Sequence, residues 1–259
     1  MPVTHHDLDG RAVELWIPDG VRPDSPLLLA HDGQNCFDGT HSISGHGWQL
    51  DAAAIRAANA CGVATPVIVA PWNIGERRVM EYGPQDVFER NDDWLHGYRA
   101  LHGDAEAPCG NAYIDWCAER VLPWAASQAG IHMQRERTAV LGSSMGGLAS
   151  LAALARRPVV FECALCVSTH WASGDDGFVR ACIDLLPQPG HHRLWFDHGD
   201  QGLDAQYAPL QDVADQALSD AGWADHFERH AFPGTDHSES AWAARAETVL
   251  AFWLRGLAS

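Results

Sequence analysis

Short apolar runs alternate along this chain with longer stretches in which apolar residues recur every three or four positions. Residues 13–17 and 27–30 read as an opening pair of strands. Residues 48–60 read as a helix whose apolar positions include Trp48, Leu50, Ala53, Ile55 and Ala58. Further strands are expected at 67–71, 138–141, 163–167, 194–197 and 227–232. Helices are expected at 113–129, interrupted around Pro123, and at 148–157, 207–221 and 238–257. This alternation predicts a mostly parallel central sheet with helices on both faces. No repeat, low-complexity tract or linker divides the chain, so a single domain over residues 1–259 is expected. The stretch 73–111 breaks the pattern, being rich in Gly, Pro, Asp and Trp with weak periodicity. Connections that long without structure of their own are uncommon and usually functional. It is expected to be an insertion that covers the site.

Length and charge narrow the class. A chain of 259 residues can bury the core of one large α/β domain. With 34 acidic residues against 17 basic ones, the net charge of −17 repels polyanions and argues against nucleic acid and anionic membranes as partners. Every basic residue is an arginine. Schiff-base chemistry, a Walker-A nucleotide site and a Ser-Lys hydrolase each need a lysine amine, and all three are excluded. The seven cysteines are an odd number, and the first residues lack an apolar segment with a cleavage site, so reduced thiols and a cytoplasmic location are expected. Cys163 and Cys166 sit within an apolar run and read as small buried residues rather than a redox or zinc pair. No apolar run reaches the length of a membrane span.

The candidate chemistry centres on Gly142-Ser-Ser-Met-Gly146, a G-x-S-x-G pattern entered by an apolar strand and left by an apolar helix. A serine on such a sharp strand-to-helix turn has its hydroxyl exposed at the strand's end, which makes Ser144 the candidate nucleophile. A serine needs a base, and the base needs an orienting acid. Among 15 histidines, His237 is selected by position, in the loop between the strand 227–232 and the last helix. The acid is expected after the strand 194–197, where Asp200 and Asp204 compete and position alone does not separate them. The oxyanion donors are expected to be the backbone N–H of Met145, just after the nucleophile, and that of Gln34, after the turn at Asp32-Gly33.

Four motifs in order carry a family resemblance: His31-Asp-Gly-Gln-Asn35, Gly142-Ser-Ser-Met-Gly-Gly147, Gly199…Leu203-Asp204…Tyr207 and Gly234-Thr-Asp-His237. Together they resemble the putative-esterase group of α/β-hydrolases, which takes in esterase D-like, feruloyl-esterase-like and enterochelin-esterase-like proteins. The resemblance runs from about Leu27 to Leu254 and includes Pro66 to Asn73, Arg78, Glu81 and Tyr82. It implies an α/β-hydrolase fold and a serine esterase, and it favours Asp204 as the acid because Asp200 stands where related loops carry a threonine. Self-association is common in that group, though nothing in the sequence locates an interface.

The expected reaction is hydrolysis of a small-molecule carboxylic ester through an acyl-enzyme, with no metal or other cofactor. Trp72, Trp94, Trp171 and Trp242 are expected to approach the catalytic face, Trp171 nearest, and Trp171, Asp32 and Trp72 are the candidate substrate contacts. An acyltransferase would use the same triad. An inactive hydrolase fold used for binding is a further alternative, and a zinc site at Asp197, His198 and Asp200 lacks the usual ligand spacing.

Overall fold

The computed structural model describes residues 2–42, 44–102 and 108–258. A hairpin of β1 (Thr4–Leu8) and β2 (Arg11–Trp16) opens the chain, followed by β3 (Leu27–Ala30), helix α1 (Leu50–Cys61) and β4 (Val67–Pro71). Short helices α2 (Arg78–Tyr82), α3 (Gln85–Phe88) and α4 (Asp92–His102) come next, then α5 (Gly110–Trp116) and α6 (Leu122–Ala129). The second half alternates: β5 (Thr138–Ser143), α7 (Met145–Arg156), β6 (Cys163–Val167), α8 (Asp176–Ile183), β7 (Arg193–His198), α9 (Tyr207–Asp220), β8 (Phe227–Ala231) and α10 (Glu239–Arg255).

The strands form one sheet in the order β1-β2-β4-β3-β5-β6-β7-β8, and only β2 runs against the rest. Strands β3 to β6 are buried along their whole length. Covered on both faces, they have no polar side to alternate with, which is why they read in the sequence as continuous apolar runs. On one face α1 and α10 pack together, with Leu50, Ala54, Val249 and Trp253 joining Leu28, Ile68, Leu165 and Trp195. On the other face Leu148, Phe178 and Leu218 join Leu29, Val69, Val140 and Phe196. Cys163 and Cys166 are fully buried on opposite faces of β6.

Three local features depart from the sequence reading. The stretch 73–111 is largely helical, carrying α2, α3 and α4, although residues 103–107 lie outside the described part. Helices α2 and α3 are too short to show a period, and they hold their place by packing on α5, α7 and α8. The interruption expected around Pro123 is a π-helical turn over Cys117–Val121 rather than a break, and the helix runs on without a gap through Pro123 in α6. Finally, β1 and α8 lie outside the expected elements, and only β1 lacks an apolar run. The first is an exposed edge strand with sequence Thr-His-His-Asp-Leu, and the second is short and contains Gly177.

Candidate active site

Ser144 links β5 to α7 with φ 56° and ψ −121°, a backbone conformation that is strained for a residue with a Cβ. The turn is pinned from outside: Ser144 N–H donates to Val167 O at 2.9 Å, and its carbonyl accepts from His170 N–H at 3.1 Å. A Cβ on Gly142 would stand 2.4 Å from Gly146 O, so glycine is required where strand and helix cross. On the helix side the tight glycine is Gly147, whose Cβ would meet Thr169 Oγ1 at 2.8 Å, whereas Gly146 has ordinary room. Met145 begins α7, so its N–H is one of the helix's unbonded first-turn donors at the positive end of the dipole.

The loop after β3 approaches from the neighbouring strand. Gly33 lies directly on β4, where an added Cβ would fall 2.1 Å from Ala70 O. Asp32 adopts φ 58°, and its N–H donates to the Tyr82 hydroxyl at 3.0 Å. The carboxylate of Asp32, expected to meet substrate, is instead engaged by Arg78 through two bonds of 2.7 Å and by Asn73 Nδ2 at 2.6 Å. Burial pushes this carboxyl up, but Arg78 and Asn73 outweigh it and hold it below the usual range. Gln34 Oε1 accepts from Asn73 N–H at 3.1 Å. Next to Asp32, burial drives the imidazole of His31 down to about 4.

Asp204 and His237 meet. His237 Nδ1 lies 2.6 Å from Asp204 Oδ1, and the Asp204 side chain is fully buried. Burial raises the Asp204 carboxyl, yet hydrogen bonds from His237, Ser168 and Gly199 more than offset this and keep it depressed. With Nδ1 committed to the carboxylate, the imidazole has Nε2 left for a second partner. Asp200 is exposed and serves the loop instead, accepting from Gly234 N–H at 2.7 Å. Tyr207, at the start of α9, ties the parts together. Its ring stands edge-on to His237 at 5.5 Å, and its hydroxyl lies 2.6 Å from Nδ1 of His170, whose backbone N–H donates to the Ser144 carbonyl.

The tryptophans are distributed differently from expectation. Trp171 is fully buried, packed on Phe196, with its Nε1 donating to Gln211 at 2.8 Å, so no face is left for a ligand. Trp242 stands edge-on to His237 at 4.9 Å. Trp72 is half-buried, with Nε1 on Glu14 Oε1 at 3.0 Å and with His5 and His41 packed on its ring. Asp197, His198 and Asp200 have separate partners, and among the described residues no group of three or more His, Cys, Asp or Glu could hold a metal ion.

The family model described as "Putative esterase" matches residues 11–252. The chain belongs to that family. The sheet and helices described above are those of the α/β-hydrolase fold. Among solved structures, the chain is similar to the enterobactin esterase of Shigella flexneri, with a TM-score of 0.69 at 17% identity over 99% of this chain and 60% of that one. It is also similar to a ferulic acid esterase (TM-score 0.65, 14% identity, 98% of both chains). An IroE-like serine hydrolase from Shewanella oneidensis has a TM-score of 0.69 at 14% identity, covering 99% of this chain and 80% of that one. The chain thus spans about 60% of the length of the enterobactin esterases it resembles. No curated protein sequence matches it. Among the described residues, no helix is long and apolar enough to cross a membrane.

The candidate site includes residues the sequence reading passed over. Tyr207 stood inside a quoted motif without a role. Arg245 carried a usable signal, since Trp242, Arg245, Ala246 and Val249 share one helical face that is otherwise apolar. Ser168 had none beyond its place at a strand's end.

Proposed function

We propose that this protein is a serine esterase in which Ser144 is the nucleophile, His237 the base and Asp204 the acid. The observation that carries the reading is the 2.6 Å pair of Asp204 and His237, with the His237 ring against Tyr207, which bonds His170 beside the Ser144 carbonyl. His237 takes the Ser144 proton as Oγ bonds to the ester carbonyl carbon, and the imidazolium is stabilised by Asp204. The N–H groups of Met145 and Gln34 face the oxyanion. Collapse expels the alcohol, which receives the proton from His237. Water then attacks the acyl-enzyme by the same route and releases the acid and Ser144.

The whole chain acts as one catalytic domain, with 73–111 forming a cover whose Arg78 and Asn73 hold the oxyanion loop through Asp32. An open cavity of about 660 Å³ adjoins Gly33 and Gln34 and extends to His5, Glu14, Asp38 and Asp51. We place one side of the substrate there. Its ionisable lining of carboxylates and imidazoles suits a neutral or cationic group better than an anionic one.

The test is hydrolysis of p-nitrophenyl esters from acetate to long chains by the wild type and Ser144→Ala. The expected result is cleavage by the wild type and a loss of at least about a thousandfold in the variant. Full activity in Ser144→Ala would overturn the mechanism. An inactive wild type whose Ser144 also resists a fluorophosphonate would overturn the esterase reading.

A further inference from the structure

Hydrogen bonding continues behind the acid. Asp204 Oδ2 accepts from the Ser168 hydroxyl and from Gly199 N–H, each at 2.7 Å. The same Ser168 oxygen accepts from Arg245 Nη2 at 2.7 Å and from Trp242 Nε1 at 3.1 Å. Arg245 Nη2 also reaches Asp197 Oδ1 at 2.8 Å, and Asp197 further accepts from Trp195 Nε1 at 2.7 Å and Ser168 N–H at 3.1 Å. Ser168, Asp197 and Arg245 are all buried.

The direction of this chain is forced. A hydroxyl has one proton and two lone pairs, whereas an arginine and an indole can only donate. With Arg245 and Trp242 on the Ser168 oxygen, its proton is left for Asp204 Oδ2. Two donors on Oδ2 then fix the carboxylate plane and leave Oδ1 facing His237. Charge is arranged to match: Arg245 neutralises Asp197, so the negative charge at Asp204 is the one the imidazole meets.

The backbone supplies a separate argument. Ser168 has φ 40°, in the left-handed region that favours glycine. A serine kept there, fully buried, stabilises the backbone less than glycine would. Its hydroxyl gives it a use that a purely architectural position lacks.

We propose that Ser168, held by Arg245 and Asp197, is a positioning residue that locks the Asp204 carboxylate onto His237. Its effect on turnover rests on the esterase reading above, but its effect on the imidazole does not. Two variants separate positioning from architecture. Ser168→Gly removes the hydroxyl and relieves the backbone, while Ser168→Ala removes the hydroxyl and keeps the strain. Each is compared with wild type for Tm, for kcat and KM on p-nitrophenyl acetate, and for the low-field proton NMR signal of His237 Nδ1–H.

The expected result is that Ser168→Gly unfolds at a higher Tm than Ser168→Ala, both having lost the same buried hydrogen bonds, while kcat falls at least about tenfold in both variants with KM little changed. The Nδ1 proton signal shifts or is lost to exchange in both. Activity that follows Tm, lost in the alanine variant and kept in the glycine variant, would overturn the proposal. So would an unchanged Nδ1 proton in Ser168→Gly. An inactive wild type in which that proton still responds to Ser168→Gly would leave the positioning role standing and count against the esterase reading.

Discussion

Gly199 lies against Thr235 so closely that a Cβ built on it would stand 2.1 Å from the Thr235 carbonyl oxygen. That contact clasps the loop bearing Asp204 to the loop bearing His237. Asp200 N–H and Gln201 N–H reinforce it, donating to the same oxygen at 3.1 and 3.0 Å. Gly199→Ala is therefore expected to push the two loops apart. A misplacement of about 1 Å at such a pair can cost on the order of a hundredfold in rate. Steady-state kinetics on p-nitrophenyl acetate checks this, and wild-type kcat in Gly199→Ala would show that the clasp is dispensable.

The two acids of this loop are expected to separate cleanly. Asp204→Asn keeps the shape but removes the charge that fixes and stabilises the imidazole, with an expected loss of about ten-thousandfold in kcat. Asp200→Asn touches an exposed carboxylate bonded to Gly234 N–H and is expected to stay within about threefold of wild type. Comparable losses in both variants would reopen the choice of acid.

Stability should decline on mild acidification, and His31 gives the sign. Its folded value of about 4 lies below the unfolded value of 6.5, because burial penalises the imidazolium. Between these values the unfolded chain binds more protons than the folded one, so stability falls as pH drops from about 6.5 to about 4. The drop from 6.5 to about 4 corresponds to roughly 3 kcal/mol. The buried His192 is depressed in the same direction. Denaturant unfolding at pH 7 and pH 4.5 should show a smaller pH difference in His31→Gln than in wild type, and an equal difference would refute the assignment.

Substrate charge should register in KM. If the cavity beside Gly33 and Gln34 takes one side of the ester, a cationic or neutral substituent is expected to bind better than a carboxylate of equal size. Matched ester pairs at low ionic strength would measure this. A lower KM for the anionic member would place that part of the substrate elsewhere.

The legibility of the chain followed burial. Strands 27–30, 67–71 and 163–167 have the limits their apolar runs suggested, since a strand covered on both faces has no other composition open to it. The edge strand β1 and the helices between residues 75 and 102 escaped because their stability comes from tertiary contacts, not from local periodicity. The same division runs through the site. Ser144, His237 and the backbone of Gly33 sit at element ends that a motif can mark. The bond of Ser168 to Asp204 joins residues 36 apart, and its bond to Arg245 joins residues 77 apart, so no local pattern announces either. Trp171 and Trp242 show the same limit: both follow strands, and only packing decided which one stands against His237.

Asp32, Ser144 and Ser168 each follow a parallel strand at the same edge of the sheet, and each carries a side chain on a left-handed backbone. Glycine at Asp32 would strand Arg78, and glycine at Ser168 would strand the Arg245 and Trp242 donors, so neither change is a simple gain. At Ser144 glycine would relieve the backbone with no such loss. Selection for thermostability alone would thus act first against the proposed nucleophile. Directed evolution of this protein should be screened for turnover at every round, since its easiest gain in robustness lies where it would do most harm.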